Sequence, residues 1–233
     1  MKTHLSLPTR RSDALPDHVD NDVRTPAVLV EQLVEAFTDP GETVLDPFAG
    51  FGTTLTVAER LGRVAYGVEV DADRATFVRE RIADPENLVH GDVFDLDAAF
   101  PPADCCLTSP PYIGWAEGVD PFRNYDPDSE TTYEDYLNDI VRAFEHVAGW
   151  MAADATLVVD IANLKTEDGV VTLAWDVGKC LAETDAFDFR GEIVVTWDGR
   201  ESDGRGGDDS NGAYGYGYDH SYCLVYDVEG GAR

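Results

Sequence analysis

Two short stretches of the chain carry residue types that could do chemistry together. The first is Asp46-Pro47-Phe48-Ala49-Gly50-Phe51-Gly52-Thr53-Thr54. Gly50 and Gly52 can take positive φ and put no Cβ in the way of a ligand. The apolar run Thr43-Val44-Leu45 before it reads as a buried strand, and Leu55, Val57, Ala58 and Leu61 after it recur at helical spacing. A strand–glycine turn–helix junction turns free N–H groups toward a bound molecule, so it suits a nucleotide-like or carboxylate-bearing ligand. The second stretch is Ser109-Pro110-Pro111-Tyr112. Two prolines cannot continue a central strand or enter a helix interior, so they build a rigid loop. A hydroxyl before them and an aromatic ring after them make a compact polar and stacking site.

Two acids belong with these stretches. Glu69 ends a second strand, Val64-Ala65-Tyr66-Gly67-Val68-Glu69, at roughly the 20-residue interval at which an acid meets ribose hydroxyls. Asp92 follows the short strand Leu88-Val89-His90, on the edge where an open parallel sheet binds ligands.

The elements that must position these residues follow from periodicity. Thr25-Pro26 opens a helix with Val28, Leu29, Leu33, Val34 and Phe37 on its apolar stripe, Pro26 lying in the first turn. Residues 71–82 read as the second helix after the glycine turn, and Asp104-Cys105-Cys106-Leu107-Thr108 as the strand feeding the proline loop. A helix from Tyr133 to Met151, a strand Thr156 to Ile161 and a helix Thr172 to Ala182 follow, with Trp175 assigned to packing. Ile193–Trp197 and Tyr222–Tyr226 read as a terminal hairpin with a long Gly-, Asp- and Tyr-rich connection. Alternating strands and helices predict an α/β sheet with helices on both faces. Residues 1–24 are assigned to an N-terminal arm and 25–233 to one domain.

Composition narrows the class. The formal net charge is −29, and the only lysines are Lys2, Lys165 and Lys179. The acids are interleaved with ordinary apolar periodicity, which marks a solvated acidic surface suited to a very salty cytoplasm and not a disordered acidic tail. Such a charge normally argues against nucleic-acid binding. In molar salt the Debye length falls to about 3 Å, so local contacts decide and a nucleic-acid substrate stays open. No apolar run of membrane-spanning length and no apolar signal segment appears, so a cytoplasmic location and no membrane partner are expected. Cys105, Cys106, Cys180 and Cys223 lack metal-site spacing and read as small buried hydrophobes.

Taken together, Asp46-Pro47-Phe48-Ala49-Gly50-Phe51-Gly52-Thr53 and Thr108-Ser109-Pro110-Pro111-Tyr112 resemble the amino-methyltransferases of DNA. That resemblance covers about residues 24 to 226. It implies a Rossmann-like, S-adenosylmethionine-dependent methyltransferase fold: a seven-stranded, mostly parallel sheet with an antiparallel last strand. It implies that the turn (Asp46, Pro47, Phe48, Ala49, Gly50, Gly52, Thr53) holds the methionine part of the cofactor. Glu69 would hold its ribose, Asp92 its adenine amino group, and the Thr25-Pro26 segment would close over its carboxylate. Ser109 and the Pro110 carbonyl would accept hydrogen bonds from an exocyclic amino group, Pro111 would keep the loop rigid, and Tyr112 would stack on a base flipped out of the helix. No metal is required. A serine at the head of the tetrad resembles the cytosine-N4 group.

The chain departs from that family in having no sizeable target-recognition region. The candidates are the arm 1–24, the loop 113–132 and the loop 198–220, the last with Arg200, Arg205, Tyr214, Tyr216 and Tyr218. The first reading is therefore methyl transfer to N4 of cytosine in DNA. The alternatives are adenine-N6 in DNA, an exocyclic amine in RNA, recognition supplied by a partner chain, or a cofactor-binding module without catalysis.

Overall fold

The structure, a computed structural model, describes residues 2–8, 24–97, 100–112, 121–123, 131–166, 169–198 and 220–229. The loops around Trp115 and Tyr125, and the connection with Arg200, Arg205 and the three tyrosines, lie outside the described residues.

The strands are β1 (His4–Pro8), β2 (Thr43–Asp46), β3 (Val64–Glu69), β4 (Leu88–His90), β5 (Ala103–Thr108), β6 (Met151–Ile161), β7 (Leu164–Thr166), β8 (Gly169–Val171), β9 (Phe187–Asp198) and β10 (His220–Val228). The helices are α1 (Ala27–Phe37), α2 (Thr53–Arg60), α3 (Ala72–Arg79), α4 (Tyr133–Ala148) and α5 (Leu173–Ala182). Eight strands form one sheet in the order β1-β9-β10-β6-β5-β2-β3-β4, and β7 pairs with β8 as a separate hairpin. Within the eight-stranded sheet the antiparallel strand is β10, between β6 and β9, and β7 and β8 are antiparallel to each other. The chain winds outward from β2 through β3 to β4, then returns to lay β5 on the other side of β2. The winding reverses between β2 and β5, and an open α/β sheet leaves a crevice at the carboxyl ends of such strands.

One apolar layer packs Tyr136, Ile140 and Phe144 of α4 and Val177 and Leu181 of α5 on Cys106, Leu157 and Val159. The opposite layer packs Leu29 and Leu33 of α1, Leu55 and Ala58 of α2 and Val78 of α3 on Val44, Cys105 and Leu107. The adjacent cysteines are thus not a pair. The two-residue period of a strand sends them to opposite faces, where each is a small buried hydrophobe.

Several expected boundaries move. The first residues are not only an arm: His4–Pro8 adds an eighth strand, parallel to β9, and buries Leu7. Pro26 is the cap of α1 and not a first-turn residue; its carbonyl accepts the N–H groups of Leu29 and Val30. Helix α4 starts with a Thr132–Asp135 capping box but stops at Ala148, because Gly149 and Trp150 turn the chain into β6. Strand β6 begins five residues early, at Met151 rather than Thr156; Asp154, with φ 65, lies where the β5–β6 ladder slips register and hides the alternation. Trp175 does not pack inside; it is 60% exposed on the first turn of α5, while Leu173, Ala174 and Val177 fill the interior. Cys180 is only half-buried.

The acidic surface is visible in the burial pattern. Among the described residues, Asp46, Glu69, Asp139 and Asp160 are the buried carboxylates. No helix among the described residues is long and apolar enough to cross a membrane.

Leu7→Ala tests the eighth strand. The variant is expected to lose about 2 kcal/mol of stability in urea unfolding, as for a buried leucine; an unchanged midpoint would mean that β1 is not docked on β9.

Candidate active site at the carboxyl edge of the sheet

A cavity of about 310 Å³ opens where the winding reverses. Its walls include Thr25, Asp46, Pro47, Phe48, Ala49, Gly50, Thr53, Glu69, Asp92, Ser109, Pro110, Pro111 and Tyr112. Of the residues singled out from the sequence, Pro26 and Gly52 stand behind the wall.

The two glycines have different jobs. Both are left-handed, Gly50 at φ +54 and Gly52 at φ +76. A Cβ on Gly50 would meet only the Phe48 carbonyl, at 3.9 Å, and would otherwise project into open space. A Cβ on Gly52 would lie 2.7 Å from a Val78 methyl. Gly50 therefore keeps space free at the cavity wall, while Gly52 lets α3 pack against the start of α2.

Glu69 holds the turn as well as facing the cavity. Its Oε2 accepts the Gly50 N–H at 2.7 Å and its Oε1 accepts the Asp71 N–H at 2.9 Å. Gly50 thus does not offer its N–H to a ligand, contrary to the simplest expectation for such a turn. Each carboxylate oxygen keeps acceptor capacity beyond one bond. Burial raises the Glu69 pKa, opposed by the Asp71 N–H, by Arg74 and by the Gly50 N–H. Asp92 turns back on its own chain, its Oδ1 accepting the Phe94 N–H at 3.0 Å.

Asp46 lies beneath the turn, 4% exposed. Its Oδ1 accepts the Thr108 hydroxyl at 2.6 Å and the Phe48 N–H at 3.1 Å. Burial lifts its carboxyl from 3.8 to about 6, against hydrogen bonds from Thr108, Thr54 and Phe48.

The proline loop is fixed from its far end. The Tyr136 hydroxyl donates to the Pro111 carbonyl at 2.8 Å, and the Ala162 N–H donates to the Tyr112 hydroxyl at 3.0 Å. Among the described residues no hydrogen bond claims the Ser109 hydroxyl, which lines the cavity.

Other functional candidates were not legible as such. Arg24 and Arg74 line the cavity, two cations in a strongly acidic chain. Arg24 could have been found from its place directly before Thr25-Pro26. Arg74 sits in the first turn of α3 and approaches the Phe51 ring at 5.2 Å. Phe122 also lines the cavity, edge-on to Phe48 at 6.0 Å, from a loop with no periodic signal. Asp160, 1% exposed near the end of β6, accepts the Ser221 hydroxyl at 3.0 Å and the Thr25 hydroxyl at 3.3 Å. It anchors the Thr25 segment to the sheet, and in the sequence it was hidden inside an apolar strand.

Two measurements test this geometry. Gly52→Ala should lose about 3 kcal/mol in urea unfolding, from a strained φ and overpacking on Val78, whereas Gly50→Ala should lose only about 1 kcal/mol. Equal losses would refute the division of roles. For Asp46, the folded carboxyl titrates near 6 and the unfolded one near 3.8. A raised folded pKa means the native state holds the proton more tightly. The Asp46 contribution is therefore most favourable at acid pH, falls as pH rises from about 4 to 6, and costs about 3 kcal/mol once the group is ionised. Asp46→Asn should flatten the stability profile over that window; an unaltered slope there would show that Asp46 does not titrate in it.

Residues 11–80 match the family model N6_N4_Mtase, DNA methylase. The match spans α1, the glycine turn and Glu69 and ends before the proline loop. Type II methyltransferase M.BglII of Bacillus subtilis is 44% identical over 48 residues, 21% of this chain and 13% of that protein. Type II methyltransferase M2.DpnII of Streptococcus pneumoniae is 40% identical over 57 residues, 24% of this chain and 21% of that protein. The aligned stretches are thus a small part of either relative. TrmN from Thermus thermophilus superposes with a TM-score of 0.57 at 18% identity, over 87% of this chain and 49% of that one. A type I restriction-modification methyltransferase subunit from Streptococcus thermophilus does so at 0.54 and 17%, over 88% and 44%. Magnesium protoporphyrin IX methyltransferase from Synechocystis, solved with bound S-adenosylmethionine, does so at 0.51 and 14%, over 86% and 76%. Residues 11–80 thus resemble the DNA methylase family, and the chain as a whole has the fold of S-adenosylmethionine-dependent methyltransferases.

Proposed function

We propose that the chain transfers a methyl group from S-adenosylmethionine to the exocyclic amino group of a nucleobase, N4 of cytosine in DNA. The observation that carries this reading is that one cavity joins the glycine turn and Glu69 to the Ser109 loop, with the Ser109 hydroxyl unclaimed among the described residues. The family match and the methyltransferase fold support it.

The wall fits the cofactor. The cavity of about 310 Å³ lies within the range of small-molecule sites. The space at Gly50, which a Cβ would fill, allows close approach to the backbone. In this reading Glu69 accepts the ribose hydroxyls, Asp92 faces the adenine amino group, and Thr25, with Arg24 beside it, meets the methionine carboxylate. When bound, S-adenosylmethionine supplies a methyl already activated by its sulfonium.

The rest of the task falls to the chain's own residues. An exocyclic base nitrogen is a poor nucleophile because its lone pair is delocalised into the ring. The Ser109 hydroxyl and the Pro110 carbonyl accept hydrogen bonds from the amino group and turn its lone pair toward the donor. Pro110 and Pro111 keep that loop rigid, and Tyr112 offers a face to an extruded base. Holding both reactants in line lowers the barrier without a covalent intermediate. The cytosine assignment rests on the serine at the head of the tetrad, which resembles the cytosine-N4 group; the hydroxyl's own chemistry would accept from an adenine amino group as well. Nucleic acid as substrate is compatible with the acidic surface in molar salt, where long-range repulsion is screened.

The test is a methyl-transfer assay in molar salt with labelled S-adenosylmethionine and separate DNA and RNA, followed by digestion to nucleosides. Label on N4-methylcytosine from DNA is expected. Label on adenine, or only on RNA, would sink the assignment. Ser109→Ala should lower transfer at least tenfold while leaving cofactor binding intact, and Gly50→Val should abolish cofactor binding by filling the wall.

A further inference from the structure

Between β2 and β5 the backbone pairing stops short of the site. The ladder joins Val44 to Cys105 and Leu45 to Cys106 and goes no further, although β5 continues to Thr108. On its other side β5 stays paired with β6 up to Thr108 and Val159. Ser109 and Pro110 are therefore tied to β6, while the glycine turn leaves from β2. The Tyr136 and Tyr112 bonds fasten the proline loop to α4 and to the end of β6, away from the turn.

One side-chain bond spans the gap. Thr108, 2% exposed, donates its hydroxyl to Asp46 Oδ1 at 2.6 Å, and the same oxygen accepts the Phe48 N–H at 3.1 Å. Both partners are buried, so the bond is shielded from water, and a hydroxyl-to-carboxylate bond of this length is among the strong ones. A single oxygen thus joins the last residue before Ser109 to the first residues of the turn.

We propose that Thr108 is a positioning residue: its hydroxyl, through Asp46, sets the distance between the turn that holds the methyl donor and the loop that holds the acceptor amine. The proposal rests on the methyl-transfer reading above. Misplacement of about 1 Å between reactants can cost a hundredfold in rate without touching the affinity for either. A residue that acts through placement should therefore affect turnover and spare binding.

The experiment compares Thr108→Val, which keeps the shape and removes the hydroxyl, with Thr108→Ser, which keeps the hydroxyl. Thr108→Val should lower kcat about tenfold to a hundredfold, with the Kd for S-adenosylmethionine and the KM for DNA within twofold of wild type. Thr108→Ser should restore kcat to within threefold. Hydrogen exchange at the Ser109 and Tyr112 amides should quicken in Thr108→Val and not in Thr108→Ser, a readout that needs no substrate. If Thr108→Val does not fold, Thr108→Ala, which also removes the hydroxyl, takes its place with the same losses expected and the same outcomes decisive. Undiminished kcat in Thr108→Val, an equal loss in Thr108→Ser, or a parallel loss of cofactor binding would each overturn the proposal. A wild-type protein that transfers no methyl to any nucleic acid would instead overturn the methyl-transfer reading, leaving the exchange measurement to decide the role of Thr108.

Discussion

The site depends on the reversal of winding between β2 and β5. Parallel strands on either side of that point send their following loops to opposite faces of the sheet, so a crevice opens between them. Here one wall of the crevice is the turn after β2 and the other is the loop after β5. The backbone ladder between these strands ends two residues before Thr108, so side chains must close the joint. Asp46 does this, and its burial has a cost: its carboxyl is pushed up to about 6 even with hydrogen-bond donors around it. A neutral residue there would be easier to bury. It would also hold the Thr108 hydroxyl and the Phe48 N–H less firmly.

The same edge collects two more of the buried carboxylates. Glu69 and Asp160 are buried near the ends of β3 and β6, each accepting two hydrogen bonds. Buried carboxylates are normally tolerated only when so satisfied. Each ties a segment that carries cavity residues: Glu69 the glycine turn, Asp160 the Thr25 segment. Among the described residues of this acidic chain most acids lie at least partly exposed, while these three serve the architecture of one edge.

Much of the fold was legible because each element has a local cause. The apolar stripes of α1, α2, α4 and α5 follow helical spacing, and β2, β3 and β5 are short apolar runs. Where local cause and tertiary packing diverge, the reading slipped. Trp175 looks like a packing residue, yet the face of α5 that meets the core is already filled by Leu173, Ala174 and Val177. Strand β6 is longer than its alternation suggests because the register slip near Asp154 breaks the period. His4–Pro8 is too short and polar to announce itself, and becomes a strand only because β9 offers it an edge.

The sequence by itself determined the two chemical stations and their order along the sheet, because glycines, prolines and strand-ending acids constrain the backbone locally. Tertiary structure alone decided how the stations meet. That Gly52 answers to Val78 while Gly50 answers to the cavity depends on where α3 packs. That Arg24, Phe122 and Asp160 belong to the site depends on which distant segments the sheet brings to one edge. That Asp46 joins the two walls depends on β5 lying beside β2, a neighbour 62 residues away in the chain, which no local pattern can specify.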